Sequence, residues 1–266
     1  HFYVYPMKIF ITGIFGQVGS HIAEYFLYNN CSVLGIDNFK TGKPYHLKKH
    51  KNLKTINGSI ANKDLVESMM KDFSPEVVIH AAASYKDPTD WYNDTLTNCV
   101  GSAILIRLSI DLKIKRFIYF QTALCYGTKP LENPITLNHP KLPSNSSYAI
   151  SKTAAEDYLE ISGLDYVSFR LANVIGPRNL AGVLPTFYKR LKEGKKCFVT
   201  KARRNFIDVN DLVEIVVKAV KGTGQGSYHF SSGKDIEIKE LYDLVVKNMK
   251  LNSYPEPDIK EIQADE

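Results

Sequence analysis

Three things are scarce in this sequence. Only four cysteines occur (Cys31, Cys99, Cys125, Cys197), none in a CxxC pair, so neither paired metal-ligand spacing nor the disulfide framework of a small secreted domain is present. No apolar run approaches the ~20 residues of a membrane span, and no signal-peptide pattern opens the chain. Charge of one sign is also in short supply. The 34 basic and 28 acidic residues leave +6, which suits an anionic small molecule and is too diffuse for a nucleic-acid surface. These absences point to a reduced, cytosolic protein with neither nucleic acid nor membrane as a partner. Hydrophobic content of 44% with 23% charged residues is globular composition. The 266 residues suffice for one α/β domain plus a smaller lobe. Met7 reads as a start, with six residues ahead of it. His46 and His50 have the spacing of zinc ligands on a helix. They stand in KTGKPYHLKKHKNLK without an acidic or cysteine partner, so a solvated basic loop and no metal are expected.

What is present is a regular alternation. KIFIT is a short β-rich run, and 17–28 carries Val18, Ile22 and Phe26 at helical spacing. SVLGID follows as a second apolar strand ending in an acid. Then come a helix over 63–72, the strand EVVIH, a long helix over 90–111, the strand RFIYF, a helix over 148–161 and the strand YVSFR. Apolar strands alternating with helices predict βαβ units, hence an α/β fold with a Rossmann-type, doubly wound parallel sheet. After Arg170 the pattern loosens between Pro177, Pro185 and several glycines. The expected division is a Rossmann domain over 7–171 and a smaller substrate lobe over 172–266.

Two clusters carry chemistry. TGIFGQVG places Gly13, Gly16 and Gly19 between the first strand and the first helix. Gly13 serves a tight turn, Gly16 admits a pyrophosphate to the backbone, and Gly19 allows close helix–strand packing. The helix N-terminus adds free N–H groups and partial positive charge. Asp37 ends the second strand 18 residues after Gly19, where an acid accepts hydrogen bonds from ribose hydroxyls and repels a 2′-phosphate. NAD is therefore expected over NADP. The second cluster is a Tyr-x-x-x-Lys pair, which puts both side chains on one helix face. Three such pairs exist: Tyr45/Lys49 in the basic loop, Tyr188/Lys192 in the charged FYKRLKEGKK, and Tyr148/Lys152 in SSYAISK. Only the last follows the fifth strand, beside the carboxyl ends of the sheet where ligands bind. A nearby ammonium and a cationic nicotinamide would lower the phenol of Tyr148 from its usual ~10. The hydroxyl of Thr122, in FIYFQTALCYG, is placed to bond the substrate oxygen that Tyr148 deprotonates; a β-propensity threonine is the plain alternative.

Taken together, TGIFGQVG, IDNFKTG, VIHAAAS, FQTALCYG, YAISK and FRLANVIGPRN resemble the extended short-chain dehydrogenase/reductase family over most of the chain. Within it the sequence is similar to bacterial nucleotide-sugar 4-epimerases of O-antigen and capsule synthesis. The resemblance implies that Thr122, Tyr148 and Lys152 are catalytic. It implies an NAD site built from Gly13, Phe15, Gly16, Gln17, Val18, Gly19, Asp37, Asn38, Ser59, Ile60, Ala81, Ala82 and Asn98, together with Tyr148 and Lys152. Lys86, Thr122, Asn173 and Arg204 are implied at the UDP-linked substrate, the last two gripping its diphosphate, and a homodimer is implied as well. There are departures. Ser59-Ile60 stands where Asp-Ile is frequent, and Gln121 replaces the usual small residue before the catalytic hydroxyl. The chain ends at Glu266, ahead of the tail that normally helps close the substrate lobe.

The function expected is redox-neutral C4 epimerisation of a UDP-hexose or UDP-uronate through a 4-keto sugar. A 4,6-dehydratase needs further proton-transfer groups. Dehydratase relatives carry Asp-Glu after the strand-five threonine, where this chain has Ala123 and Leu124. A ketosugar reductase usually draws on NADPH, against which Asp37 argues. A dinucleotide sensor without turnover would not need the Tyr/Lys/Thr set. Lys201, Arg203 and Arg204 exceed what one diphosphate requires; a uronate carboxylate and a solvated basic loop are both open explanations.

Overall fold

The computed structural model describes residues 6–143, 146–251 and 253–260. The expectations about the first five residues and the C-terminal end lie outside them. In chain order the elements are β1 (Lys8–Thr12), α1 (Gln17–Tyr28), β2 (Ser32–Asp37), β3 (Leu53–Asn57), α2 (Lys63–Phe73), β4 (Val77–His80) and α3 (Trp91–Asp94). A π-helical stretch (Thr95–Gly101) joins α3 to α4 (Ser102–Asp111). After β5 (Arg116–Thr122) and a 3-10 turn (Ala123–Tyr126) come α5 (Ser147–Glu160), β6 (Tyr166–Leu171), β7 (Asn173–Ile175), α6 (Val183–Lys192), β8 (Phe198–Thr200) and β9 (Arg203–Asp208). The chain continues through α7 (Val209–Val220), β10 (Gly226–Phe230), β11 (Asp235–Glu237), α8 (Ile238–Met249) and β12 (Asp258–Lys260).

Two compact units result. The first holds residues up to Leu171 together with 210–229, and its sheet has the order β10-β6-β5-β4-β1-β2-β3. Neighbouring strands from β1 to β6 pair in parallel. This is the doubly wound Rossmann order, and the sheet reverses direction between β1 and β4. Strands covered on both faces need unbroken apolar runs, which is why β4 is buried at every position. Phe10, Leu34 and Val78 pack on one face against Val66 and Met70 of α2, Leu105 of α4 and Leu159 of α5.

Three features differ from the sequence reading. β3 is an edge strand that begins in the last two residues of the lysine-rich stretch; three of its five residues are exposed, Lys54 among them, as on solvent-facing edges. His50 is exposed as expected, but His46 is buried, with its Nδ1 2.8 Å from the Phe15 carbonyl. Third, α7 and β10 return to the first unit instead of remaining with everything after 172. The cause is apolar and polar together: Val213, Val216, Val217 and Val220 of α7 are buried, and Arg116 of β5 donates to the carbonyls of Ala219 and Thr223 at 3.0 and 2.8 Å.

The second unit joins β11, β9 and β7 in one sheet and β12 with β8 in another. Its core sets Phe187 and Leu191 of α6 against Leu241, Tyr242 and Val245 of α8, with the Phe187 and Tyr242 rings edge to face at 5.5 Å.

Candidate active site

The turn from β1 into α1 is dictated by close packing. Gly13 has φ +64°, and a Cβ there would lie 2.7 Å from the Ala82 nitrogen. A Cβ on Gly19 would come within 2.2 Å of the Gly13 carbonyl oxygen. Gly16 differs: its backbone is extended, and a Cβ would meet only the Gly13 oxygen, at 3.2 Å. The fold thus requires glycine at 13 and 19 far more than at 16, where the missing side chain leaves room over the N-terminus of α1. The cleft beside this turn, about 180 Å³, is lined by Gly13, Gly16, Gln17, Val18, Gly19, Asp37, Asn38, Ser59, Ile60, Ala81 and Ala82. Gln17 Nε2 is buried there without a hydrogen-bond partner, a donor left for a ligand. An orphaned amide and a bare helix N-terminus fit a dinucleotide pyrophosphate.

From Ala82 of the lining a buried hydrogen-bond chain runs inward at the sheet's switch point. The Ala82 N–H donates to Thr12 Oγ1 at 3.1 Å, and the Thr12 hydroxyl lies 2.7 Å from His80 Nδ1. His80 Nε2 lies 2.8 Å from the Ser102 hydroxyl, which donates to the Asn98 carbonyl at 2.5 Å. With Ser102 donating onward, His80 must carry its proton on Nε2 and accept on Nδ1. Burial, helped by the charge of Lys152, keeps it neutral by pulling its pKa far down.

At the end of β5, Thr122 is half-buried and its Oγ1 accepts from the Leu124 N–H at 3.2 Å. The Ser146 hydroxyl caps α5 by accepting from the Ala149 N–H, so that the helix starts one residue before Tyr148. Tyr148 stands against Tyr85 of the cleft, ring centroids 6.3 Å apart. One turn on, Lys152 is 2% exposed and its Nζ sits 4.1 Å from the centre of the Tyr119 ring. Burial pulls the Lys152 ammonium down to about 7, against the raising influence of Glu156. The Tyr148 phenol is pushed up, first by burial and then by the charges of Tyr85 and Asp94, opposite to the lowering expected from its lysine partner. The other two Tyr-x-x-x-Lys pairs have exposed tyrosines, so only Tyr148/Lys152 combines a buried lysine with a cleft.

Residues 9–231 match the Epimerase family, described as the NAD dependent epimerase/dehydratase family. The chain belongs to this family. Its cofactor is NAD. Among solved structures, the Bordetella bronchiseptica enzyme WbmH in complex with NAD+ is 61% identical with a TM-score of 0.95, covering 97% of this chain and 86% of that one. WbmG of the same organism, solved with NAD and UDP, is 41% identical with a TM-score of 0.92, over 98% and 84%. A UDP-glucose 4-epimerase of Mycolicibacterium smegmatis is 28% identical over 272 residues, covering 94% of this chain and 85% of its own.

Within this epimerase/dehydratase chain, the remaining expected site residues are spread over the cleft lining, the core beside it and the second unit. Asn98 is fully buried behind the lining, its amide spent on the Ser84 backbone (2.8 Å for both N–H and carbonyl) and on Ser151 Oγ (3.0 Å). Phe15 is buried outside the lining and meets Phe39 with ring planes tilted by 33°, centroids 5.0 Å apart. Asp37 lines the cleft, yet its carboxylate already accepts the Phe15 and Phe39 N–H groups, both at 2.8 Å, so it also fastens the turn. Lys86 is exposed outside the lining. Asn173 and Arg204 belong to the second unit, both exposed; Asn173 donates to the Asn205 carbonyl at 3.0 Å and Arg204 to the Arg203 carbonyl at 2.9 Å. Arg203 is taken up by Glu237 and the Asp235 carbonyl, both at 3.0 Å. Sequence reasoning missed Thr41, Gly58, Ala83, Tyr85 and Thr97 in the lining. It also missed Asp94, buried with neither carboxylate oxygen hydrogen-bonded. For Tyr85 a signal existed: it stands five residues after β4, in the loop at the carboxyl end of a switch-point strand.

Proposed function

We propose that the chain epimerises C4 of a UDP-linked hexose or hexuronate, without net oxidation, through a transient 4-keto sugar. The observation that carries this reading is the continuity, within one unit, from the glycine cleft through Tyr85 to Tyr148 and the buried Lys152. NAD, when bound, supplies the hydride acceptor and donor at C4, and its cationic ring favours the Tyr148 phenolate. The α1 N-terminus with Gly16, Gln17 and Val18 receives the pyrophosphate, Asp37 and Asn38 the ribose, and Ser59 and Ile60 the adenine side. Tyr148 accepts the proton of the C4 hydroxyl while the Thr122 hydroxyl bonds the same oxygen. Lys86, Asn173 and Arg204 bind the substrate, the last two at its diphosphate, which retains the ketose while its ring turns over. Ala123 and Leu124 after Thr122 have no proton to transfer, which favours epimerisation over dehydration.

The product belongs to surface-polysaccharide synthesis in this reading, made in the cytoplasm by a homodimer. Free cysteines at all four positions support the reducing compartment, and exposed Trp91, Ile150 and Tyr158 on and beside α3 and α5 support a partner surface. The test is incubation of the purified protein with a panel of UDP-hexoses and UDP-hexuronates, without added reductant, followed by product analysis. Interconversion of C4 epimers at constant redox state is expected. A 4-keto-6-deoxy product would establish a dehydratase, conversion only with NADPH a reductase, and NAD binding without any turnover a sensor.

A further inference from the structure

Gln121 is the penultimate residue of β5, 1% exposed, and every polar atom of its amide is used. Its Oε1 accepts the backbone N–H of Thr122 at 2.8 Å. Its Nε2 donates to the Lys152 carbonyl and to Glu156 Oε2, both at 3.2 Å. Residues 119 and 121 share a face of the strand, and the Tyr119 hydroxyl reaches the same Lys152 carbonyl at 2.9 Å. The α5 turn bearing Lys152 is therefore gripped from β5 at two heights, and only the Gln121 grip continues into the backbone of Thr122.

The far end of the bridge is fixed as well. Glu156 is fully buried and accepts from Ser168 at 2.6 Å and from Arg170 at 3.1 Å. The Arg170 charge and these donors outweigh its burial and hold its carboxyl below the usual range. Gln121 therefore bonds an anion, and such bonds are stronger and geometrically stricter than neutral ones. A buried amide with three hydrogen-bond partners cannot shift without leaving polar groups unpaired.

We propose that Gln121 is a positioning residue: its amide sets the Thr122 hydroxyl against the α5 turn that carries Tyr148 and Lys152. This rests on the assignment of Thr122, Tyr148 and Lys152 to the reaction. Displacing a reacting partner by an ångström lowers turnover by about a hundredfold without touching substrate affinity.

The experiment compares Gln121→Met, close in length and without donors or acceptors, with wild type on whichever UDP-sugar the protein turns over. Turnover is normalised to bound NAD. The expected result is a kcat lowered roughly 10–100-fold, with KM within threefold and NAD content unchanged. In a Thr122→Ala background the same change should alter kcat by less than about threefold, because coupled residues do not act additively. Gln121→Ser replaces it if the Met variant does not fold. Losses that multiply across the double mutant, or a kcat drop matched by lost NAD, would show an ordinary structural role and overturn the proposal. Tyr148→Phe separates the two levels. Near-normal turnover in that variant sinks the site assignment itself, whereas its collapse beside an unaffected Gln121→Met sinks only the positioning role.

Discussion

Lys152 is an ammonium placed where the fold least tolerates one. Among the described residues Glu156 is the carboxylate that opposes burial, and burial wins, so the amine is pulled down from 10.5 to about 7. Between those two values the unfolded chain keeps a proton that the folded protein has released, so the Lys152 contribution to stability rises with pH across that window. Below about 7 both states are charged and the whole cost of burial is present. Lys152→Met should therefore be more stable than wild type at pH 6, by a few degrees in Tm, while turnover is lost. The advantage should shrink as pH approaches 10. Thermal melts of both proteins from pH 6 to 10 check this; a constant difference would mean that the lysine is not held uncharged at neutral pH.

The glycine turn and its helix separate two roles that one motif usually merges. Gly16→Ala brings a methyl to 3.2 Å from a single backbone oxygen, a tight contact but a far milder one than at Gly19, so it should cost little melting temperature while NAD affinity falls, by about tenfold or more, as the pyrophosphate is crowded. Gly19→Ala drives a methyl to 2.2 Å from a backbone oxygen, so it should lose stability first and most. Melts paired with NAD titrations distinguish the two, and equal effects in both assays would refute the separation. These elements were legible because strand burial on both faces and amphipathic helices leave periodicities of their own. β3 was not, since an edge strand with exposed Lys54 and Thr55 carries no such period. The helix expected over 90–111 holds a π-helical stretch at Thr95–Gly101, invisible to a 3.6-residue period, and it is there that Asn98 turns inward to Ser84 and Ser151. Tyr85 and Gln121 were not legible as contacts because their partners, Tyr148 and Lys152, are distant in sequence and meet them only through the sheet.

For the whole molecule, the proposed placing of NAD in the first unit and the substrate diphosphate on the second predicts separable affinities. Arg204→Leu should weaken UDP binding by roughly 1.5–3 kcal/mol, the worth of hydrogen bonds to a charged group, and leave NAD affinity near wild type. The glycine cleft lies wholly in the first unit and Arg204 in the second. Calorimetric titration of UDP and of NAD into both proteins checks it; unchanged UDP affinity, or an equal loss for NAD, would overturn the diphosphate role. The return of 210–229 to the first unit also has a consequence for how the protein is made. Domains ordinarily close from the N-terminus as they leave the ribosome. Here the Rossmann sheet still lacks β10, and Arg116 still lacks its carbonyl partners, when Leu171 has emerged. The nascent chain must carry a sheet one strand short, with one flank open, through the synthesis of residues 172–209 before the first unit can be completed.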